Sequence, residues 1–475
     1  MYILNNKQIE IKNFGIIKKA HIDIAPLNIF IGSNSSGKSF IARLIHCFDV
    51  KNFNQIEENI HVLLHDILNN LDYNSQELFD SFKYNLFNFM KSKPHITDPF
   101  KISIDDFNLL MGNIIFKYLS NIFEEKIEEQ FDLNLNDLIN FNESFFEIKL
   151  NNLGLLKFQD EKLIFDNLLI PFGNNNDNNY ENQDNVVLKF GVDENNILIY
   201  IESFLFEVNE LKDLNSLITL IFSALTRLYL YHNYLENSYY LLAERSDLIS
   251  DNKALRRRIQ DKSYFTKNQI DVFNEIYNID SSKKGDFYDL ACEFEKEFSG
   301  ISVDIKNNGV FNEISYNNFE TRKQVPSKIL STSIHEISLF SLYLKYILKK
   351  DDLLIIEEPE AHLHPKNQRI LVKYIVRAVN LGLKVMFTTH SDYVIEQVNN
   401  FIRMESIDEE FLKDFDYGGV VLDYNDVSIY NFEYESKNLF KVDKIDINET
   451  GFDEESFTPI SEALYDETDR IIDLM

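Results

Sequence analysis

The chain contains no tryptophan and only two cysteines, Cys47 and Cys292, in 475 residues. Two thiols so far apart build neither a disulfide framework nor a zinc module, so both read as buried thiols of a reducing compartment. Basic residues are also short: 47 Lys and Arg stand against 77 Asp and Glu, a formal net charge of −30. Phosphate binding depends on Lys and Arg releasing counterions, so such a surface repels nucleic acid on average. Contact with DNA or RNA then needs a local basic patch or a basic partner protein. KALRRRIQDK (253–262) offers one such patch at Arg256, Arg257 and Arg258, but it also reads as a solvated helix face offsetting acidic neighbours. Long apolar runs are missing too. No stretch approaches the roughly 20 apolar residues that span a bilayer, and MYILNNKQIEIKNF at the N-terminus has no basic n-region or apolar h-region. The expectation is a cytoplasmic protein with no membrane partner.

What is present describes a folded protein. Hydrophobic residues make up 44% of the chain and aromatics 13%, carried by 40 Phe and 24 Tyr, enough for roughly two to four structural units. Residues 8–31 alternate and then turn strongly apolar, ending in LNIFI (27–31), a short continuous run of the kind that forms a buried strand. A Gly-containing turn follows, then KSFIARLIHCF with Phe40, Leu44 and Phe48 at helical spacing. Residues 51–140 read as a helical insertion and 141–208 as an antiparallel β subdomain built from segments such as FFEIKL and GLLKFQ. Within the latter, GNNNDNNYENQDN (173–185) reads as a polar loop. Residues 250–324 read as a helical arm leading into short strands, and 401–475 as an acidic C-terminal α/β segment. Two more apolar strands are predicted at DLLIIEE (352–358) and KVMFTTH (384–390), with a helix between them at 366–380. The order implies an α/β core closed from both ends of the chain, residues 1–50 with 325–400 and parts of 145–250, around a large helical and antiparallel-β insertion.

GSNSSGKS (32–39) fits G-x-x-x-x-G-K-[ST] at Gly32, Gly37, Lys38 and Ser39, after a buried strand and at the start of a helix. Glycines let the backbone curl so that successive N–H groups face phosphate oxygens, and the helix N-terminus adds its positive dipole end. In such a loop Lys38 reaches the β- and γ-phosphates and the Ser39 hydroxyl ligates Mg²⁺. The loop decides how LLIIEEPEAHLHP (353–365) is read. Taken alone, three glutamates and two histidines suggest a metal site, an acid/base pair or part of a nucleotide machine. His362 and His364, two apart, would share a face if they lay on a strand, but lack a third ligand for zinc at sensible spacing. Beside a phosphate loop, Glu357 takes the metal position at the strand tip and Glu358 the water-activating position.

Together GSNSSGKS, LLIIEEPEAHLHP and VMFTTHSDYV resemble the ABC-type P-loop ATPases of the SMC/RecF-like and OLD-type group. The resemblance implies a Walker A loop over Gly32, Ser33, Asn34, Ser35, Ser36, Gly37, Lys38, Ser39 and Phe40 for ATP, and a Walker B pair at Glu357 and Glu358. It further implies a D-loop region from Pro359 to His364 and a switch histidine at His390. KILSTSIHEIS (328–338) lies where the group carries its signature, so Ser331, Thr332 and Ser333 are expected to meet the γ-phosphate of a second subunit, with Glu336 nearby. Three departures stand out. The metal position holds Glu rather than Asp, the signature lacks paired glycines, and no Q-loop glutamine is evident. LLAERS (241–246) is the best-placed segment for that last role, with Glu244 and Arg245 as nucleotide contacts.

The resemblance also implies a homodimer or higher homo-oligomer clamped through its ATP sites, with ATP and Mg²⁺ as cofactors. Neither FLKDFDYGG nor DKIDIN matches a TOPRIM nuclease pattern. A stand-alone ATPase of this kind resembles the ATPase components of bacterial anti-phage systems such as PARIS and Septu. Each of those works with a separate effector protein, so the resemblance implies for this chain a separate effector, a nuclease or toxin, and a nucleic-acid or phage-protein trigger. An SMC/RecF-like DNA-repair or DNA-clamping ATPase is the alternative.

Overall fold

A computed structural model describes residues 7–48, 73–91, 100–103, 120, 123–140, 143–150, 154–160, 162–166, 178–181, 187–192, 196–202, 218, 221, 237–243, 245–246, 249, 266–307, 312–415, 417, 419–436, 439–453 and 458–473. The basic segment 253–262 and Glu244 lie outside the described residues.

In chain order the elements are β1 (Lys7–Phe14), β2 (Ile17–Ile24), β3 (Leu27–Gly32), α1 (Lys38–Cys47), α2 (Tyr73–Lys91), β4 (Phe100–Ser103), β5 (Phe145–Leu150), β6 (Gly154–Gln159), β7 (Lys162–Asp166), β8 (Asn178–Glu181), β9 (Val187–Val192) and β10 (Asn196–Glu202). There follow β11 (Ser238–Leu241), α3 (Lys267–Tyr277), α4 (Tyr288–Phe298), β12 (Ile301–Asn307), β13 (Asn312–Asn318), α5 (Thr332–Tyr346), β14 (Leu353–Glu357), α6 (Pro365–Asn380), β15 (Lys384–Thr388), α7 (Asp392–Met404), β16 (Val427–Ser436), β17 (Leu439–Ile445) and α8 (Thr458–Asp473).

Eleven strands form one mixed sheet in the order β11-β14-β15-β3-β16-β17-β2-β1-β5-β6-β7. The first five of these are parallel to one another. Strands covered on both faces need continuous apolar residues, and β3 and β14 are buried at every position. Strand β2, antiparallel to β1 and parallel to β17, instead keeps one face wet: Ile17, Ala20, Ile22 and Ile24 are buried while Lys18, Lys19 and His21 are exposed. Helix α1 packs on β3, β11, β14 and β15, while α4 packs between α5 and α6, and α6 packs in turn on α7. The fold is α/β, with the phosphate-loop strand well inside the sheet.

Three boundaries differ from the sequence-based expectation. The segment 401–475 is not separate from the core, because β16 lies directly beside β3 and pairs Phe432 with Gly32. The block 141–208 is not one subdomain. Strands β5–β7 extend the main sheet from the edge of β1, whereas β8–β10 form a four-stranded sheet with β4. Local alternation specifies two-faced strands but not which edge they join. Within the polar run 173–185, Asn178–Glu181 is strand β8 rather than loop, paired with β9. Cys47 is buried, as expected, but Cys292 is only partly so.

Candidate active site

Register aligns the tips of three neighbouring parallel strands: Glu357 on β14 pairs with Thr388 on β15, which pairs with Phe30 on β3. Whatever follows each tip therefore meets at one end of the sheet, where open α/β sheets bind ligands. After β3 comes the phosphate loop, after β14 comes Glu358, and after β15 comes His390.

Two glycines make the loop feasible. Gly32 has φ +135°, and a Cβ there would sit 2.7 Å from the Phe432 carbonyl oxygen. Gly37, with φ +97°, is the N-cap of α1 and makes no side-chain capping bond, so the first amides of the helix keep their donors for a ligand. Lys38 is only 5% exposed. Its Nζ donates to the carbonyls of Gly32 at 3.0 Å and Ser33 at 2.8 Å, and to Ser36 Oγ at 3.4 Å. Burial pulls its pKa down to about 8, against the opposing pull of Glu358 and Glu360.

A cavity of about 660 Å³ opens here, walled by Asn34–Ser39 with Phe40, Arg43 and Ile16, and by Glu358 and His390 from the adjacent tips. Gly32 and Ser33 of the expected nucleotide set do not line it, but anchor Lys38 from behind. Glu358 holds a left-handed backbone at φ +41°, and its N–H donates to the Thr388 carbonyl at 3.0 Å and to Thr388 Oγ1 at 3.1 Å. Its carboxylate lies 3.9 Å from His390 Nε2. Burial and the nearby Lys38 lower the His390 pKa, with Glu358 opposing, so the ring is neutral near pH 7 and has one N–H to donate.

Glu357, at the expected metal position, is 5% exposed and does not line the cavity. Tyr240 donates its hydroxyl to Oε1, the Ala243 N–H approaches Oε2 at 3.3 Å, and Arg43 Nε lies 3.7 Å from Oε1. Ser39 does line the cavity. An oxygen donor on the wall suits Mg²⁺, which takes few protein oxygens and keeps several waters. Among the described residues no cluster of three or more His, Cys, Asp or Glu has metal-binding geometry. His362 and His364 are both exposed, and His364 caps α6 instead, accepting from the Lys366 N–H at 3.3 Å.

Ser331, Thr332 and Ser333 are not in this cavity. They form the N-terminal turn of α5, Ser331 and Thr332 exposed and Ser333 partly so, with Ser331 Oγ and Ser333 Oγ 2.7 Å apart. Arg245, read from sequence as a nucleotide contact, is instead 2% exposed and bound to backbone carbonyls. Glu360 lies in the expected D-loop region, where the sequence gives it no individual role. Its Oε1 accepts from Thr389 Oγ1 at 2.7 Å and the His390 N–H at 2.8 Å, so it fixes the turn that carries His390. Its position three residues beyond Glu357 was visible, but no local pattern marks it as the partner of another strand's tip.

The buried Lys38 gives a pH prediction. Phosphate binding needs the protonated amine, and above a free-state pKa of about 8 a proton must be taken up on binding. ATP affinity, measured calorimetrically, is therefore expected to weaken about tenfold between about pH 7 and pH 9. Flat affinity across that window would contradict a titrating Lys38.

A phosphate loop, a glutamate-bearing tip and a histidine-bearing tip around one cavity define the P-loop ATPase class. Residues 1–395 match the family model AAA_15, described as AAA ATPase domain, and the chain belongs to that family. Among solved structures it is similar to an SmcHead bound to the C-winged helix domain of ScpA, at 14% identity and TM-score 0.38, covering 93% of this chain and 98% of that one. It is also similar to the SMC head domain from Thermotoga maritima, at 10% identity and TM-score 0.31, covering 94% and 100%. A third is an Smc head domain with an extended coiled coil bound to the C-terminal domain of ScpA derived from Pyrococcus furiosus, at 12% identity and TM-score 0.35, covering 98% and 99%. No curated protein matches the chain. No described helix is long and apolar enough to cross a membrane.

Proposed function

We propose that the protein hydrolyses ATP with Mg²⁺ and uses the cycle as a conformational switch. The observation that carries this reading is one cavity lined by Lys38 and the other loop residues from Asn34 to Ser39 together with Glu358 and His390. In this reading the loop from Gly32 to Phe40 holds the nucleotide, with Lys38 on the β- and γ-phosphates. Glu358 orients and deprotonates the attacking water, while neutral His390 donates to the γ-phosphate. Ser39 and Glu357 are the residues that would hold the metal. Bound Mg²⁺ supplies charge neutralisation on the phosphate oxygens.

Ser331 and Thr332 are exposed, and the Ser331–Ser333 turn lies outside its own chain's cavity, which fits completion of a second subunit's site in a head-to-tail homodimer. ATP then bridges the subunits and its hydrolysis releases them, so the chemistry times an output carried elsewhere. With a net charge of −30, a separate protein effector suits that output better than a nucleic-acid clamp. The sensor ATPase of an anti-phage system, releasing an effector when triggered, is the particular switch we favour.

ATP turnover followed across about a hundredfold range of protein concentration tests the shared site. The rate per protomer is expected to rise with concentration while light scattering shows an ATP-dependent dimer. A monomer turning over at a concentration-independent rate would overturn completion in trans, and absence of Mg²⁺-dependent turnover would overturn the ATPase reading.

A further inference from the structure

Arg245 is among the largest fully buried side chains of the protein, at 2% exposure, on the turn that follows β11. A guanidinium is always charged, and burying it is costly unless its N–H groups are all met. Here they are met largely by backbone. Nη1 donates to the carbonyls of Leu242 at 3.1 Å and Glu357 at 2.8 Å. Nη2 donates to those of Glu358 at 3.2 Å and Pro359 at 3.1 Å. Nε donates to the Glu336 carbonyl at 3.0 Å and lies 3.2 Å from Glu336 Oε2.

Two features make this more than core packing. The carbonyls of Glu357, Glu358 and Pro359 are consecutive, and they converge on one cation where Glu358 takes φ +41°. A non-glycine residue in the left-handed region is strained and persists only where its surroundings over-determine it. The other end of the contact is Glu336, whose side chain is 0% exposed and sits one turn into α5, behind the exposed serines. The carboxylate of Glu336 has no hydrogen-bond donor among the described residues, so the ion pair with Arg245 is its main compensation.

We propose that Arg245 is a positioning residue. It holds the strained backbone that aims Glu358 into the cavity and locks that backbone to α5, so the state of the Ser331–Ser333 turn reaches Glu358. This rests on the reading of Glu358 as the water-orienting group. Arg245 touches neither the cavity nor the phosphate loop, so its loss acts on turnover and not on nucleotide capture.

The test combines Arg245→Lys, Glu336→Gln and Glu358→Gln, each measured for kcat, ATP Kd and melting temperature. A shift of about 1 Å in a reacting group can cost roughly a hundredfold in rate. Arg245→Lys is accordingly expected to lower kcat about 10- to 100-fold with ATP Kd within about twofold. Glu336→Gln, which keeps side-chain volume and the backbone carbonyl, is expected to lower kcat in the same sense by a smaller factor. It serves as the probe if Arg245→Lys does not fold. Adding either change to Glu358→Gln is expected to cost nothing further, because both act through that carboxylate. A full additional loss in the double variant overturns the proposal, as does a parallel fall of ATP binding, turnover and folded fraction. Wild-type turnover in Glu358→Gln alone overturns instead the reading of Glu358.

Discussion

Lys38→Ala is expected to weaken ATP binding by roughly 30-fold to several thousand-fold, the range for losing one partner of a buried charge pair, about 2–5 kcal/mol. The side chain is preorganised for that loss to be large. It is buried, it points back over its own loop, and its Nζ is held by the Gly32 and Ser33 carbonyls rather than by a carboxylate. Two carbonyls do not neutralise a cation, and an incoming phosphate would. The sign of the stability effect separates this from misfolding. The folded-state pKa of about 8 lies below the ordinary 10.5, so folding disfavours the charged amine below pH 8. That penalty shrinks as pH rises from 8 toward 10.5, where the unfolded chain also loses its proton. At pH 7 the truncation removes a destabilising charge, and the melting temperature is expected to hold or rise while affinity collapses. Calorimetric titration with ATP and a thermal melt on one sample decide it: affinity within twofold of wild type removes the phosphate role of Lys38.

Much of this site is legible in the sequence because its pieces are short and local. A phosphate loop is eight consecutive residues, and its strand–turn–helix context is written on either side of it. The runs ending at Glu357 and His390 are apolar enough to be read as buried strands, and parallel strands place their following turns at one end. What holds the pieces in position was not legible. Arg245 meets Glu357, Glu358 and Pro359 only because β11 pairs with β14, a contact between segments more than a hundred positions apart. Tyr240 reaches Glu357 for the same reason. Nothing in LLAERS distinguishes an arginine turned inward to carbonyls from one turned outward to a nucleotide.

The C-terminal strand fails for a related reason. In VSIYNFEYES the first residues are buried and the last four exposed, so the segment reads as a mixed element of no special place. Its partner is β3, from the other end of the chain, with Phe432 against Gly32. That pairing explains in part why Gly32 is glycine, since the Phe432 carbonyl occupies the space a Cβ would need. The phosphate loop thus depends on a segment that local pattern assigns to a separate unit.

The largest effect on turnover is expected from Glu358→Gln. Removing a positioned general base costs typically 10²- to 10⁴-fold in rate, and glutamine keeps the shape and the backbone bonds to Thr388. Nucleotide affinity should hold or tighten, since one negative charge leaves the wall of the cavity that Lys38 also lines. If ATP bridges two subunits, the variant accumulates as an ATP-bound dimer visible by light scattering. Glu357→Gln is the necessary contrast. Its carboxylate is turned to Tyr240, the Ala243 N–H and Arg43, not into the cavity. It should therefore change the Mg²⁺ concentration needed for binding and turnover more than it changes the rate at saturating metal. The two glutamates are adjacent in sequence, yet one is nearly buried and the other is half exposed beside His390. Identical kinetic signatures in the two variants would mean that this difference in environment does not divide the labour between them.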